Sequence, residues 1–349
     1  MSYEIINNIT GQFLLSSDIN KSTLKKLLKH SNLNSIQFSE PVTDNNVWVN
    51  IKEIIFQRKP ELELYVYSNH NKPWDLSFLE LFPNLKAFGV SGYMECSNIN
   101  SIGSLNNLKS LSINIYNLEN IDFLDKINSS LKSLILGNTK SKKFDISILS
   151  RFDNLVNLSV WGHKRGVEEI SKLSSLEKLQ LSVNLENLDF ISHLDKLRSV
   201  KLSFSEIKNL NALTKLKSLK YLDIYQLRKL SNIEFISELK SLKYLVLANL
   251  PNIVNLPDFS LNKQLRRIDF ENLKGLTNLK SIEFAEVLEE FRFVNCSHLQ
   301  PDDLLPVLRN KSIKDAIAGF GSNIKNNKFD QLKTEFGMKK HNWNEFIFK

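Results

Sequence analysis

One six-residue unit recurs along most of this 349-residue chain, with apolar residues at its first, fourth and sixth places. Its eleven copies are Leu62-Tyr65-Tyr67, Leu85-Phe88-Val90, Leu108-Leu111-Ile113, Leu131-Leu134-Leu136, Leu155-Leu158-Val160, Leu176-Leu179-Leu181, Leu197-Val200-Leu202, Leu219-Leu222-Ile224, Leu242-Leu245-Leu247, Leu265-Ile268-Phe270 and Leu288-Phe291-Phe293. Successive copies start 21 to 24 residues apart. A fixed period of this length is typical of a solenoid, in which each repeat packs only against its neighbours.

Each repeat divides into a leading strand and a return segment. The fourth and sixth places alternate with polar neighbours, as the two faces of a β-strand do. The second half of a repeat spaces its apolar residues by three, as in Ile233 and Ile236, which suits tight 3₁₀ turns. We assign Leu279-Ile282-Phe284 to a return segment as well. One repeat cannot bury its apolar face alone, so neighbouring repeats must stack.

This pattern resembles the leucine-rich repeat superfamily over about residues 62–300, and its period is most similar to the short-repeat class that includes internalins and phosphatase-regulator subunits. The resemblance implies an α/β repeat solenoid, a horseshoe with a concave parallel β-sheet and a convex side of 3₁₀ turns, short helices and irregular segments. The family usually has an asparagine at the ninth place, where only Asn184 matches. Asn249, Asn272 and Asn295 stand one place earlier, which allows an offset asparagine ladder.

Both ends of the repeat array require caps, because an open end would expose the leucine core. We predict an N-terminal helical cap with one or two irregular strands over residues 1–60, about eleven repeats over 61–300, and a C-terminal helical cap over 301–349. In the first cap, Asp18 or Ser22 is expected to begin a helix.

Further elements are predicted within these caps. The triplet Leu33-Ile36-Phe38 is expected to form an irregular strand, and residues 47–56 an apolar return segment. The second cap is expected to contain a helix from Pro301, a degenerate strand at Ile313-Ala316-Ala318, a helix near 325–336 and an aromatic tail. That tail contains Trp343, Phe346 and Phe348.

The sequence carries no motif for catalysis, nucleotide binding or metal binding. It has neither a phosphate-binding glycine loop nor a nucleophile elbow. Cys296 and His298 lie two positions apart, but no second pair completes the four ligands of a structural zinc site. We therefore expect no enzyme activity, no cofactor and no metal.

Several features favour a cytoplasmic protein. Cys96 and Cys296 stand 200 positions apart, which excludes a disulfide framework. No apolar stretch is long enough to span a membrane, and the N-terminal residues lack the pattern of a secretory signal. We expect a monomer without membrane association.

The net charge of +8 and the isoelectric point near 9.2 raise nucleic acid as an alternative partner. The second place of the repeat carries a row of cations that form a rim beside the strands: Lys86, Lys109, Lys132, Arg198, Lys220, Lys243 and Arg266. Val156, Glu177 and Glu289 interrupt the row, and no aromatic and basic residues alternate in the manner of base-stacking motifs. Solvation of the rim is therefore favoured over nucleic-acid binding.

The third, fifth and seventh places should face the concave side, and there the second half gathers aromatic and charged residues. The predicted partner-binding residues are Trp161, Lys201, Tyr221, Asp223, Tyr225, Tyr244, Arg267, Asp269, Glu271 and Arg292. Tyrosine, tryptophan and arginine supply much of the binding energy at protein interfaces. We therefore expect an exposed aromatic cluster that binds another protein, one with a basic patch to match the acidic residues. An immunity-type or effector-type factor with one dedicated target is a further alternative.

Overall fold

The computed structural model describes residues 3–68 and 72–338, and its contacts divide the chain into two compact units, Met1–Ser175 and Leu176–Lys349. The two units are described separately below. Both are built from short strands that follow one another in the sheet in chain order.

The described residues of the first unit form eight strands. They are β1 (Tyr3–Asn7), β2 (Gln12–Leu15), β3 (Ser35–Phe38), β4 (Glu63–Tyr67), β5 (Ala87–Gly92), β6 (Ser110–Ile115), β7 (Ser133–Leu136) and β8 (Asn157–Trp161). β1 pairs antiparallel with β2, and the later pairs are parallel. Helices α1 (Lys21–Leu27) and α2 (Asn45–Ile51) precede β4, and α2 continues into a π-helical turn at Lys52–Phe56. The return segments contain 3₁₀ turns at Leu76–Leu81, Ile99–Ser104, Asp122–Lys126, Ile146–Arg151 and Val167–Lys172.

In the second unit, residues 176–338 form seven parallel strands. They are β9 (Lys178–Ser182), β10 (Ser199–Ser203), β11 (Tyr221–Tyr225), β12 (Tyr244–Ala248), β13 (Arg267–Glu271), β14 (Glu290–Val294) and β15 (Asp315–Ala318). The 3₁₀ turns lie at Asp189–Ile191, Asn211–Lys215, Glu234–Glu238, Phe259–Leu261, Lys280–Phe284 and Pro301–Leu304. Two helices, α3 (Leu305–Arg309) and α4 (Asn323–Glu335), lie near its carboxyl end.

The core of each unit is formed by the apolar places of the repeat. Leu222 and Ile224 lie on β11 and hold the fourth and sixth places of the repeat that starts at Leu219. Both are fully buried, and each pairs with its equivalents on β10 and β12. Ile282 lies buried in the 3₁₀ turn Lys280–Phe284, which confirms that this segment is a return and not a strand. The predicted fold class, parallel strands joined by 3₁₀ returns, is confirmed.

The predicted register of the first repeat, Leu62-Tyr65-Tyr67, is wrong by one residue. In β4 it is Leu64 and Val66 that are buried, and they pair with the core residues of β5. Tyr65 and Tyr67 therefore lie on the opposite face of the sheet. Gly89 makes room for one of these rings, since a Cβ atom at this glycine would lie 2.2 Å from Tyr65 Cδ2. Leu62 is buried too. An alignment of this repeat on Leu62 therefore matches the apolar pattern as well as the correct register does.

The helix caps differ in detail from the prediction. Asn20 precedes α1, and its side-chain oxygen accepts a hydrogen bond from the Thr23 amide at 3.0 Å. Neither Asp18 nor Ser22 has this role, and the Asp18 carboxylate instead accepts a bond from the Ser16 hydroxyl. The predicted strands at Ile36 and Ala316 correspond to β3 and β15. The aromatic tail lies outside the described residues, and the limits of the two caps stay predictions.

The eighth place of five successive repeats in the second unit has left-handed backbone, with φ between 49° and 57°. These residues are Phe204, Gln226, Asn249, Asn272 and Asn295. At four of them, the backbone N–H donates to the carbonyl of the last residue in the next strand, as in Asn272 to Val294 at 3.1 Å. Asparagine tolerates this conformation better than other non-glycine residues. Asn272 Nδ2 also donates to Asn249 Oδ1 at 2.6 Å, so the offset asparagine ladder exists between these two repeats.

His163 is a buried titratable residue in the core of the first unit. Its ring stacks on Phe144 with centroids 5.2 Å apart, and Nε2 lies 3.2 Å from the Gly137 carbonyl oxygen. Nδ1 has no hydrogen-bond partner among the residues that the structure describes. Burial lowers the pKa of His163, so the folded protein favours the neutral ring.

This burial predicts a loss of stability in acid. Unfolded His163 takes up a proton as pH falls through about 6.5, whereas the folded state takes it up only at lower pH. The free energy of unfolding should therefore fall as pH falls below about 6.5. Urea unfolding at a series of pH values will measure this, and His163→Phe should flatten the dependence in that range. An unchanged pH profile in the variant would contradict the assignment.

The stacked core predicts that one buried charge disrupts several repeats. Leu222→Asp should lower the free energy of unfolding by about 3 to 5 kcal/mol, because the carboxylate would lie among apolar side chains of adjacent repeats. Ser203→Asp, on the opposite face of the neighbouring strand, is the matched control and should cost less than about 1 kcal/mol. Equal costs in urea unfolding would show that the burial of the fourth place does not hold the repeats together.

Candidate functional site

The side chains at the third, fifth and seventh places of β9–β15 form one surface of the second unit, here called the open face. In-register parallel pairing places equivalent residues on neighbouring strands, about 4.8 Å apart. Tyr221 thus pairs with Tyr244, and Asp269 with Arg292. Polar groups that are 21 to 24 residues apart in the chain become direct neighbours.

A first contact group on the open face joins β10, β11 and β12. The Tyr221 hydroxyl donates to Asp223 Oδ2 at 3.0 Å. Lys201 Nζ lies 3.6 Å from the same oxygen and 5.2 Å from the centre of the Tyr221 ring. The Tyr221 and Tyr244 rings meet edge to face with centroids 5.1 Å apart. Each polar atom of this group is thus held by a neighbour on the same surface.

A second contact group centres on Asp269, whose side chain is only 7% exposed. The Tyr244 hydroxyl donates to Asp269 Oδ2, and Arg292 Nε donates to Asp269 Oδ1 at 2.6 Å. Both oxygens of the buried carboxylate are therefore bonded. This satisfies the requirement that a charge removed from water be paired and hydrogen-bonded.

A third contact group continues the pattern to the end of the unit. The buried guanidinium of Arg267 forms an ion pair with the buried carboxylate of Glu290, and its carbon lies 5.3 Å from the Tyr244 ring centre. Asp315, on β15, accepts from Lys333 Nζ of helix α4 at 2.7 Å. The last helix is thus tied to the edge of the open face.

The surroundings keep these groups in fixed protonation states. Burial, followed by the nearby carboxylates, raises the pKa of both Tyr221 and Tyr244, so their hydroxyls remain donors. The hydrogen bond to Asp269 raises the pKa of Arg292, which remains charged. The open face is therefore a fixed array of paired donors and acceptors near neutral pH.

The expectation of an exposed aromatic cluster is wrong for Tyr221, which is only 9% exposed. Its ring is covered by Tyr244, which holds the same place on β12, and by Lys201, which reaches it diagonally from β10. Tyr244 is half-buried, and Tyr225 is the most accessible of the three at 36%. Two of the predicted acidic residues, Asp223 and Asp269, pair with cations of the open face itself.

Three predicted residues lie apart from these contact groups. Trp161 belongs to the first unit, where it ends β8 and its Nε1 donates to Ser159 Oγ at 2.8 Å. Glu271 Oε1 accepts from Asn295 Nδ2 at 3.1 Å. Tyr225 instead contacts a residue that the sequence analysis did not select.

That residue is Phe204, which is 57% exposed and whose ring centre lies 5.3 Å from that of Tyr225. The alternation of the strand gave no signal for it, because the eighth place lies beyond β10. Asp315 and Lys333 were missed as well, since their repeat is degenerate and their contact is with a helix. An aromatic residue at a place that the following repeats fill with glutamine or asparagine was the one available signal for Phe204.

The row of cations at the second place is partly neutralised. Lys86 pairs with Glu61, and Arg266 pairs with Glu289, which also accepts from Lys314 at 2.6 Å. Over residues 3–68 and 72–338, no cluster of histidine, cysteine or acidic side chains could hold a metal ion. No helix in these ranges is long and apolar enough to cross a membrane.

The hydroxyl of Tyr244 should contribute measurably to stability. Tyr244→Phe removes one of the donors to the buried Asp269 carboxylate and should lower the free energy of unfolding by about 1 to 3 kcal/mol. Tyr225→Phe is the matched control on the adjacent strand and should change it by less than about 0.5 kcal/mol. If thermal or urea unfolding gives the same value for both variants, the Asp269 contact group does not stabilise the unit.

Comparison with known proteins identifies the fold. No family model and no curated protein matches the sequence. An internalin, InlF, from Listeria monocytogenes aligns over 89% of this chain and 87% of its own, with a TM-score of 0.58 and 17% identity. A leucine-rich repeat protein from Leptospira interrogans aligns over 89% and 90%, with a TM-score of 0.53 and 17% identity.

A second Listeria monocytogenes structure agrees. The functional domain of InlJ, which includes a cysteine ladder, aligns over 88% of this chain and 67% of its own, with a TM-score of 0.52 and 16% identity. At these identities the likeness is one of fold. The parallel strands and 3₁₀ returns of this chain therefore form a leucine-rich repeat fold.

Proposed function

We propose that this protein is a non-catalytic binding module that recognises another protein through the open face of its second unit. The observation that carries the proposal is the set of contacts around Asp269, Tyr244 and Arg292, which fixes the polar groups of this face before any partner arrives. A surface whose side chains are already ordered loses less conformational entropy on binding. Because these charged side chains are already paired with opposite charges, less desolvation free energy is needed to cover the face.

The charge of the open face favours a protein over a polyanion. Three of its cations, Lys201, Arg267 and Arg292, each contact a carboxylate on the same surface. A phosphate backbone would have to displace these carboxylates, whereas it gains affinity mainly by contact with unpaired cations. A protein surface can instead meet the array of donors, acceptors and aromatic edges with its own.

Two further elements belong to the proposal. Several titratable groups of the open face, among them Tyr244, Asp269 and Arg292, are paired with one another. This arrangement suits a rigid docking surface better than a reaction centre. A cytoplasmic location is supported by the free thiols Cys96 and Cys296, both buried. Burial raises the pKa of Cys96 to about 11, so this thiol stays protonated.

A matched pair of valine substitutions tests the proposed surface. Val246→Arg would place a long side chain at the centre of the open face, between Asp223 and Asp269, whose carboxylates can accept it. Val254→Arg places the same side chain on the return side of the same unit, where the valine is 51% exposed. Both variants should fold.

The measurement is capture of partners from native lysate at near-physiological salt with nuclease present, followed by affinity measurement with the purified partner. Val246→Arg should weaken binding by about 10-fold to 100-fold, whereas Val254→Arg should bind as the wild type does. If both variants bind normally, the open face is not the docking surface. Material retained only when nuclease is omitted would instead identify the rim cations as the functional surface.

A further inference from the structure

Phe204 combines two properties that each act against stability. Its backbone has φ 54°, a left-handed conformation that is rare for a large non-glycine residue and carries strain. Its ring is 57% exposed, so the strain is not offset by burial in the core. The same place holds Asn249, Asn272 and Asn295 in later repeats, where the residue type suits the conformation.

The strained backbone holds the Phe204 ring against Tyr225. The Phe204 amide donates to the Tyr225 carbonyl oxygen at 3.3 Å, which fixes the end of β10 against the end of β11. The two rings meet at an angle of 66° with centroids 5.3 Å apart, and both are solvent-accessible. Together they form an apolar corner at the carboxyl end of these strands.

Two nearby charged pairs do not leave the corner with a net charge. Lys201 Nζ lies 3.6 Å from Asp223 Oδ2, and Lys229 Nζ lies 2.6 Å from Glu206 Oε2. Apart from the Tyr225 hydroxyl, the side-chain surface of the corner is therefore aromatic carbon. Contact with apolar atoms of a partner would remove this surface from water and lower the free energy. A charged group of a partner would find no unpaired charge in these two pairs.

We propose that Phe204 and Tyr225 form the anchor site for an apolar side chain, such as leucine, isoleucine or methionine, that projects from a partner protein. The inference rests on the proposed function and makes it more specific, because it moves the main contact from Tyr221 and Tyr244 to the carboxyl edge of the open face. Tyr221 and Tyr244 then act as supports that position the strand, and Phe204 is the residue that the partner covers.

The anchor predicts opposite effects of Phe204→Asn on stability and on binding. Asparagine relieves the strained φ, so the melting temperature should be unchanged or higher despite the lost ring contact. Binding should weaken by about tenfold or more, since aromatic anchors supply much of the energy at interfaces. Gln226→Asn changes the same place of the next repeat and is the matched control, with no loss of binding expected.

The probe is a phage-displayed library of random linear peptides, selected on the full-length wild-type protein. Enriched clones should share an apolar side chain, bind Gln226→Asn as well as the wild type, and lose affinity for both Phe204→Asn and Tyr225→Ser. Clones that bind Phe204→Asn normally, clones without a shared apolar residue, or a failure to enrich any clone over Phe204→Asn would each overturn the anchor. A fall in melting temperature as large as that of a buried phenylalanine would overturn it too, because the ring would then be structural.

These outcomes are separable from those of the open-face test. If Val246→Arg abolishes capture of the protein partner while Phe204→Asn leaves the peptide and partner affinities unchanged, the proposed function stands and the anchor falls. If Phe204→Asn alone weakens binding, the anchor stands and the centre of the open face is not covered by the partner.

Discussion

The stacking of inward-facing leucines between adjacent repeats is the interaction on which both units depend. Leu222 is fully buried, and one repeat by itself could not remove it from water. Neighbouring strands must therefore pair in one register, with Leu222 beside Val200 and Leu245. A shift by one residue would move every leucine to the exposed surface, so the register is strongly specified by burial.

This register also determines the opposite surface. Because the core places align, the third, fifth and seventh places align as well, and side chains about one period apart in sequence become neighbours at about 4.8 Å. Acidic and basic residues on the open face then find partners on adjacent strands, as Asp269 does with Arg292. A chain with a net charge of +8 can therefore present a charge-paired surface.

The residues at the eighth place, which follow the strands, show where the repeat tolerates variation. Each amide at the eighth place must reach a carbonyl of the next strand, and the geometry there is left-handed. Asparagine meets this requirement with little strain and can also extend a side-chain ladder, as Asn272 does. Phe204 meets the same backbone requirement at a higher cost and exposes a ring. The fold requires the left-handed backbone at this place, but it does not require the exposed aromatic ring of Phe204.

The sequence by itself determined the period, the division of each repeat into strand and return, and most of the core residues. The spacing of the leucines determines these features, because residues at that spacing are buried together when the repeats stack. The sequence also selected most of the residues in the three contact groups of the open face. Only the tertiary structure decided that Leu64 and Val66, not Tyr65 and Tyr67, face the core of β4, and that Tyr221 is covered. Both outcomes depend on residues one repeat away in the chain. Gly89 leaves space for the Tyr65 ring, and the ammonium group of Lys201 lies over the Tyr221 ring. In the regular repeats the local pattern determines which face a residue occupies. The register of β4, and the exposure and partners of the residues on either face, are set by contacts that exist only once the repeats have stacked.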